Sequence, residues 1–527
     1  MDRLADDDRR TLLAAAVLGQ QFEGILVDHV IGAEATASLA RLVDAEFIQH
    51  LGGGEAAWSV FEFHHALVRQ AAYGSLLKKE RQSLHLRAAQ ALEESNVGRT
   101  NDISATIGRH HAEGGDAARA VPYLLQATRS AARTFSSDET VRLATEALQL
   151  LGETTDTTSE HRQQTIDLLR LAGTAQGQLA RYDSAIATYR QLVSVLPDSE
   201  HLDRARTVAQ IGKLLSLAHA YEDAFAELEV AESLCPAPPW DDDAVGVWLE
   251  IQLTRAEILY WLDDYERLKS ELNRIEPVVK QRATSDLKLE FLGIVRQALW
   301  RRDRYIISDE TLEIDREIFL AETNHEDEEI RAWASFYHGF TLMWHRDLDE
   351  ADRLLDEGLA ASARIGSTLL RARCLNYKMV VARFRGDPDA AWALLEPVRD
   401  SARDVGLLEY EAMAAATAAW IAYRSDDHDT VLSQGLSAMA IWSGLPSRYV
   451  FDWMCCLPLL AVAISRDDQM DAEQWTRTLL APGQQPLPGP IAEELKAGLG
   501  ALDDGAAPAA WMHLRAALAA ARELSYL

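Results

Sequence analysis

The chain has 527 residues, 48% of them apolar and 25% charged: room for three or four compact domains or one long repeat array, and ordinary globular values that exclude disordered and collagen-like classes. Lys and Arg total 52 against 82 Asp and Glu, and the formal charge of −30 repels phosphate backbones and anionic lipid, arguing against nucleic acid or membrane as a main partner. The four cysteines, Cys235, Cys374, Cys455 and Cys456, form no C-x-x-C pair; they fit buried free thiols of a reducing cytosol, with no disulfide framework and no zinc site.

The N-terminal stretch carries Asp2, Asp6, Asp7 and Asp8 ahead of the apolar run Leu12–Leu18, the wrong charge for a secretory leader and too short a run to span a bilayer. Trp453–Ile464 is also too short and is interrupted by Pro458. A soluble, cytoplasmic protein is expected. Residues 1–100 hold 10 Lys/Arg and 14 Asp/Glu, so nearly all of the negative charge lies beyond them. Within them, helical runs at Arg10–Leu18 and Ala35–Asp44 precede the turn Gly52-Gly53-Gly54 and a short strand over Trp58–Phe63, for which Phe47–Leu51 is the candidate partner. His65–Ala71 and Lys78–Glu94 follow as helices, with apolar residues three or four apart. Helix, helix, glycine turn, strand, helix is the order of a small winged-helix domain, placed at residues 1–100.

From about residue 104 the pattern is helix only, and it repeats. A short polar break, usually Asp with an aromatic residue or Gly, recurs at Gly115-Asp116, Arg181–Asp183, Ala220–Glu222, Asp264–Glu266, Asp303–Tyr305, Asp347–Asp349, Gly386–Pro388, Asp427–Asp429 and Asp467–Gln469. From Tyr182 onward the steps are 39, 44, 40, 43, 40, 40 and 41 residues. A period near 40 in a helical chain means stacked hairpins, each too small to bury its own apolar face. The fold class expected is therefore mainly α, a right-handed solenoid of about nine or ten helical hairpins behind a small N-terminal winged helix. First helices carry large residues, as at Phe336, Leu342 and Trp344, and second helices Ala and Leu, as at Ala351, Leu354, Leu355 and Leu359. Trp261, Trp300, Trp344 and Trp420 sit at or near first-helix ends, where packing against the next unit is the simpler role and contact with a ligand on the concave face the alternative.

The early units resemble tetratricopeptide repeats. Leu168, Gly173, Ala175, Leu179, Tyr182, Ala185, Tyr189 and Pro197 follow that pattern, and Gly212, Tyr221, Ala224, Ala231 and Pro236 follow it less closely. The array is accordingly divided into repeats over 101–236 and degenerate hairpins over 237–527. The segment Phe61–Tyr73, with Leu76-Leu77, Arg81, Leu84-His85 and the hairpin Ile107–Ala132 behind it, resembles the end of the winged helix in bacterial STAND-type signal-transduction ATPases, the regulators joined to class III adenylate cyclase or LuxR-type domains. That resemblance implies a regulatory region that relays a binding event to an ATPase switch.

His65-Ala66-Leu67-Val68-Arg69 is also similar to the stretch in which related ATPases place a histidine on the phosphates of bound ADP. His65 is the matching position, although Ala66 replaces the family's Asp. The remaining nucleotide machinery is missing. No G-x-x-x-x-G-K-[ST] occurs, nor any G-x-S-x-G or H-E-x-x-H, so no catalytic residue, cofactor or metal is assigned and the ATPase and output domains are expected to precede residue 1. His110-His111 has only Glu113 nearby and fits a helix C-terminus better than a metal; vicinal Cys455-Cys456 fits buried core; and the basic excess of Arg69, Lys78, Lys79, Arg81 and Arg87 is weak support for DNA contact. The function expected is non-enzymatic: a protein, peptide or small effector bound on the concave face of the solenoid, with an ATPase domain acting in cis or in trans. The alternatives are a part of an adenylate cyclase or LuxR-type regulator with upstream catalytic domains, or a standalone assembly scaffold.

Overall fold

The computed structural model describes residues 4–52, 60–95, 100–153, 158–236, 240–445 and 449–527; Gly53, Gly54, Trp58 and Ser59 of the expected turn and strand lie outside them. Two compact units result, Met1–Ala175 and Gln176–Leu527.

The first unit begins with α1 (Asp6–Leu18), β1 (Gln21–Glu23), α2 (Gly24–Ile31), α3 (Thr36–Asp44), β2 (Ile48–Gly52), β3 (Val60–Phe63), α4 (Ala66–Gly74) and α5 (Lys78–Ser95). Leu12, Ala14, Ala15 and Ala16 of α1 are fully buried, and small side chains there let the sheet and α2 approach. The three strands are antiparallel in the order β1-β3-β2. β3 alternates as a half-buried strand should, sending Phe61 and Phe63 into the core, where Phe22 stacks on Phe61 at 5.9 Å. Phe47–Leu51 does supply its partner, as Ile48–Gly52. The edge strand β1 and the helix α2 were not anticipated; three and eight residues are too few to show a period. Arg41 grips Asp8 at 2.6 Å and ties α3 to α1. The unit continues through α6 (Thr100–Glu113), α7 (Ala117–Arg133), α8 (Ser137–Gly152) and most of α9 (Ser159–Gln178).

The second unit is helical throughout its described residues and is a solenoid of tetratricopeptide-like hairpins. After α10 (Tyr182–Val195) come eight of them: α11 (His201–Leu217) with α12 (Tyr221–Leu234), α13 (Asp242–Trp261) with α14 (Tyr265–Arg282), α15 (Ser285–Arg302) with α16 (Asp309–Thr323), α17 (Glu328–His345) with α18 (Leu348–Ile365), α19 (Thr368–Phe384) with α20 (Pro388–Val405), α21 (Leu408–Arg424) with α22 (His428–Ser443), α23 (Trp453–Ser465) with α24 (Gln469–Leu479), and α25 (Gly489–Asp503) with α26 (Ala507–Glu523).

One turn joins nearly all of these pairs. Two residues before the second helix the backbone is left-handed, at Ala180, His219, Asp263, Arg346, Gly386, Asp426, Asp467 and Gly505 (φ 55–75°). The next residue donates its N–H to the carbonyl five residues earlier, as in Ala220 to Leu215, Asp387 to Ala382 and Asp427 to Ala422, which closes the first helix with a Schellman bond. Where that residue is Asp264, Asp387, Asp427 or Asp468, its carboxylate then accepts the N–H three residues on, at 3.0–3.2 Å, and caps the second helix. The aspartate of the polar break therefore closes one helix with its backbone and opens the next with its side chain. At 303–305 the device slips. Arg304 and Tyr305 are both left-handed and α16 starts only at Asp309, capped by Ser308.

Hairpins pack through a second repeated contact. A Cβ added at Gly108, Gly212 or Gly498 would lie 2.9, 2.9 or 2.6 Å from a Leu sixteen residues on, in the facing helix: Leu124, Leu228 and Leu514. The first helix thus lays its backbone against a leucine of its partner. Gly212→Ala is expected to destabilise the unit by about 1–2 kcal/mol despite alanine's better helix propensity, and Asp387→Ala by about 1 kcal/mol through loss of the cap. Thermal unfolding followed by circular dichroism checks both; an unchanged midpoint for Gly212→Ala would show that the leucine contact is slack.

Candidate functional site

First helices of the second unit carry one set of charged side chains, Lys213 on α11, Glu250 and Glu257 on α13, Glu290 on α15 and Glu329 on α17. Lys213 lies 4.0 Å from Glu290, and its pKa is raised chiefly by that carboxylate against the opposing effect of burial. Burial raises the carboxyls of Glu250, Glu290 and Glu329. Yet Lys213 and Glu290 keep 44% and 38% of their side-chain area in solvent. Solvent at both groups discounts the strength of that pairing.

Rings on α13, α15 and α17, with others on α19 and α21, form a second set. They enclose a cavity of about 830 Å³, part of it open to solvent and lined from α13 by Tyr260 and Trp261, from α15 by Gln297, Trp300 and Arg301, from α17 by Phe336, Tyr337 and Phe340, from α19 by Arg373 and Tyr377, and from α21 by Glu409 and Tyr410. His219, Tyr221, Tyr305 and the segment Tyr449–Phe451 complete it. Its walls are a connected ladder of rings, Trp300 to Phe340 and Phe340 to Tyr377 at 4.7 Å, and Tyr377 to Tyr410 at 5.9 Å. Contacts of long sequence separation close the array over it. His219 faces Glu409 at 3.7 Å, Phe451 meets Tyr305 at 4.9 Å and Trp344 at 4.5 Å, and the Gln485 amide donates to the Tyr305 carbonyl at 3.1 Å. The inner face expected to be an open concave surface is therefore partly enclosed at this end.

Two cations stand in the ring wall. Arg301 lies over the Tyr260 ring at 4.6 Å, donates to the Tyr260 carbonyl at 3.1 Å and pairs with Asp263 at 3.3 Å. Arg373 lies 5.3 Å from the centres of both Trp261 and Trp333 and has neither a hydrogen bond nor an ion pair among the described residues. Burial works against its charge, the surrounding phenols and Glu257 work for it, and the balance raises its pKa. Glu409 is pushed up by burial, with His219, its own backbone and Arg373 pulling the other way. Further buried polar atoms of the lining lack protein partners: Gln297 Oε1, Trp300 Nε1, His219 Nε2, Glu409 Oε2 and the Tyr449 hydroxyl. A buried polar atom without a partner is costly, and six of them gather around this one cavity.

The residues singled out in the sequence fall elsewhere. His65 is the N-cap residue of α4, exposed, with no capping bond from its ring, which meets His64 edge-on at 4.8 Å. Cys455 and Cys456 are buried free thiols in α23. Of the basic cluster, Arg69 and Arg87 donate at 3.4 Å to the carbonyls of Ala16 and Val30, and Arg81 lies over Tyr73 at 5.4 Å. Trp261 and Trp300 do line the cavity, whereas Trp420 is core. Sequence reading did not pick out Arg373, Arg301 or Glu409. The signal available was the run of rings at first-helix ends, one hairpin after another.

No protein-family model matches the chain, and no curated protein matches it. Solved structures match at low identity. The signal transduction ATPase with numerous domains (STAND) protein with a tetratricopeptide repeat sensor from Pyrococcus horikoshii is 13% identical over 90% of this chain, which spans only 63% of that protein, with a TM-score of 0.39. A Rap protein complexed with competence and sporulation factor is 11% identical over 74% of this chain and 99% of its own, with a TM-score of 0.43. Aspartyl phosphate phosphatase F from Bacillus subtilis is 10% identical over 68% of this chain and 92% of its own, with a TM-score of 0.38. At these scores the likeness carries no argument about activity.

His110 and His111 serve the packing of the first unit. Tyr73 hydroxyl, His85 and His110 form a chain, Tyr73 to His85 Nε2 at 2.9 Å and His85 Nδ1 to His110 Nδ1 at 2.9 Å, while His111 reaches Glu93 at 2.8 Å. One proton fits between two facing Nδ1 atoms; a second would set N–H against N–H. Burial pushes both His85 and His110 down to about 4, helped by Arg81 at the first and by the neighbouring imidazoles at the second. The unfolded chain binds protons near pH 6.5 that the folded one refuses until about pH 4, so the pair's stabilisation is full above pH 6.5 and is lost as pH falls through that window. Thermal midpoints measured from pH 7 to pH 4 are expected to fall less steeply in His110→Gln than in the parent chain; parallel curves would remove the pair from the account.

Proposed function

We propose that the chain is a non-catalytic sensing and regulatory region, which binds a peptide, protein segment or small effector on the inner face of its hairpins and relays that event to an ATPase switch supplied by another stretch of polypeptide, in cis or in trans. The observation that carries this reading is the cavity of the second unit, whose lining leaves six buried polar atoms unpartnered within walls of packed rings. An acidic band on the same helices extends the face toward a ligand with a basic portion. In the first unit, the order helix, strand, two helices and β-hairpin with a β1-β3-β2 sheet supports an adaptor of winged-helix type over residues 1–100, ahead of repeats over 101–236 and degenerate hairpins over 237–527. His65, exposed at the start of α4, would meet a nucleotide phosphate only with such an ATPase domain docked beside it. A ligand acts by preferring one packing of the array over another, and shifts the switch by that difference in affinity alone.

Hydrogen exchange on the full chain, with and without a fractionated extract of the source cells, tests this. Protection is expected in α13, α15, α17, α19 and α21, and its loss in Gln297→Trp, which fills the cavity. Protection confined to the outer helices α14, α18, α20 and α22 would overturn the reading.

A further inference from the structure

We propose that the cavity receives a single carboxylate carried on a planar apolar body, with the Arg373 guanidinium as its receptor. The proposal rests on the binding role argued above and adds the chemistry of the ligand.

Three arginines among the described residues are buried: Arg296, Arg373 and Arg383. Arg296 is neutralised by Asp315 at 3.3 Å and Glu322 at 3.2 Å. Arg383 donates to three backbone carbonyls, of Met454 at 2.6 Å, Ala416 at 3.3 Å and Tyr526 at 3.4 Å. Both keep an unpartnered Nε, as Arg373 does, but both also donate their terminal N–H groups to protein oxygens. Arg373 is 9% exposed and has no acceptor among the described residues. Its contacts are with the rings of Trp261 and Trp333 at 5.3 Å and Phe336 at 5.9 Å. Rings neutralise a cation poorly and accept none of its in-plane N–H groups, which form the fork that fits a carboxylate in bidentate geometry.

Charge favours an anion with a single negative charge. Arg301 is balanced by Asp263, while Arg373 and the Glu409 carboxylate act on each other without forming an ion pair, so the described lining holds no surplus of cations. A phosphate dianion would bring a second charge toward Glu409 with no cation to meet it. The body attached to the carboxylate is set by the walls: Tyr337, Phe340, Tyr377 and Tyr410 present faces and edges to a planar group. Trp300 Nε1 and the Tyr449 hydroxyl are spare donors, and Gln297 Oε1 is a spare acceptor for a ligand N–H. A free aromatic acid and the C-terminal aromatic residue of a peptide share this chemistry, and the acceptor side of the cavity can serve the amide of either.

Calorimetry on the full chain separates the cases. Phenylacetate and N-acetylphenylalanine are the free acids, Ala-Ala-Phe is the peptide terminus, N-acetylphenylalaninamide and Ala-Ala-Phe-amide are neutral controls, and phenyl phosphate is the dianion. Each acid that binds is expected to do so at least tenfold more tightly than its amide, and the tighter of the free-acid and peptide arms identifies the source. Arg373→Met should erase the preference for acids while leaving the thermal midpoint of the unliganded chain unchanged or higher, because a buried charge without an ion pair is removed. Arg373→Lys should retain charge, lose the fork and weaken acids severalfold. Amides binding as well as acids would overturn the carboxylate while leaving a ligand cavity, and so the sensing role, standing. Phenyl phosphate binding more tightly than every acid, no binding by any probe at millimolar concentration, or a lowered midpoint in both Arg373 variants would each overturn the proposal outright.

Discussion

The turn between the two helices of a hairpin is the constraint on which the second unit depends. A left-handed residue, a Schellman bond and an aspartate cap fit into three consecutive positions, so the first helix stops and the second starts with no slack between them. A non-glycine residue in the left-handed region costs about 1–2 kcal/mol, and the unit accepts that at Ala180, His219, Asp263, Arg346, Asp426 and Asp467. Capping and Schellman bonds offset the strain locally, and each hairpin then stacks on the next with its first helix in the same orientation. On α15 and α17 that stacking sets Glu290 and Glu329 toward the N-terminal ends, and Trp300, Arg301 and Phe340 toward the C-terminal ends.

Buried arginines show how differently this fold treats equal charges. Around Arg296 the carboxylates of Asp315 and Glu322 hold the cation, and His338 holds Asp315 in turn at 2.6 Å. Around Arg383 carbonyl dipoles stand in for carboxylates, and burial pulls its pKa down to about 9. That arginine joins α19 to α23 and to the chain's last residues, which suits a residue that pins elements together. Arg373, one helical turn into α19, joins nothing. Desolvating an ion without a partner costs several kilocalories per mole, and packing alone does not repay that; the rings around Arg373 recover only a part through cation–π contact.

Much of this was legible in the sequence where chemistry is local. The polar breaks mark second-helix starts to the residue at Tyr182, Tyr221, Tyr265, Leu348, Pro388, His428 and Gln469, because the cap and the left-handed turn are properties of three or four neighbouring residues. Phe47–Leu51 could be paired with the strand expected over Trp58–Phe63 for the same reason: alternation is local and the two segments are close in sequence. The cavity was not legible. Its residues lie about 40 apart on successive helices, and Arg373 inside α19 reads as one arginine among several until the rings of α13 and α17 are placed on either side of it. His65 drew attention through a resemblance, and its ring is exposed at the start of α4.

A stack of hairpins in which each touches only its neighbours transmits little, since each interface relaxes independently. This unit departs from that limit at the cavity. His219 and Glu409 are 190 residues apart in sequence, and Gln485 and Tyr305 are 180 apart, yet each pair meets across the inner face. These closing contacts surround the same space that Arg373 faces, and their polar atoms are themselves incompletely satisfied: His219 Nε2 and Glu409 Oε2 stand 3.7 Å apart without a hydrogen bond. A group that completes them binds the closed arrangement in preference to any other, whatever its contacts elsewhere. On the reading proposed above, sensing would require no mobile lid in this unit, only a closed packing whose polar atoms stay incompletely bonded until a ligand supplies partners.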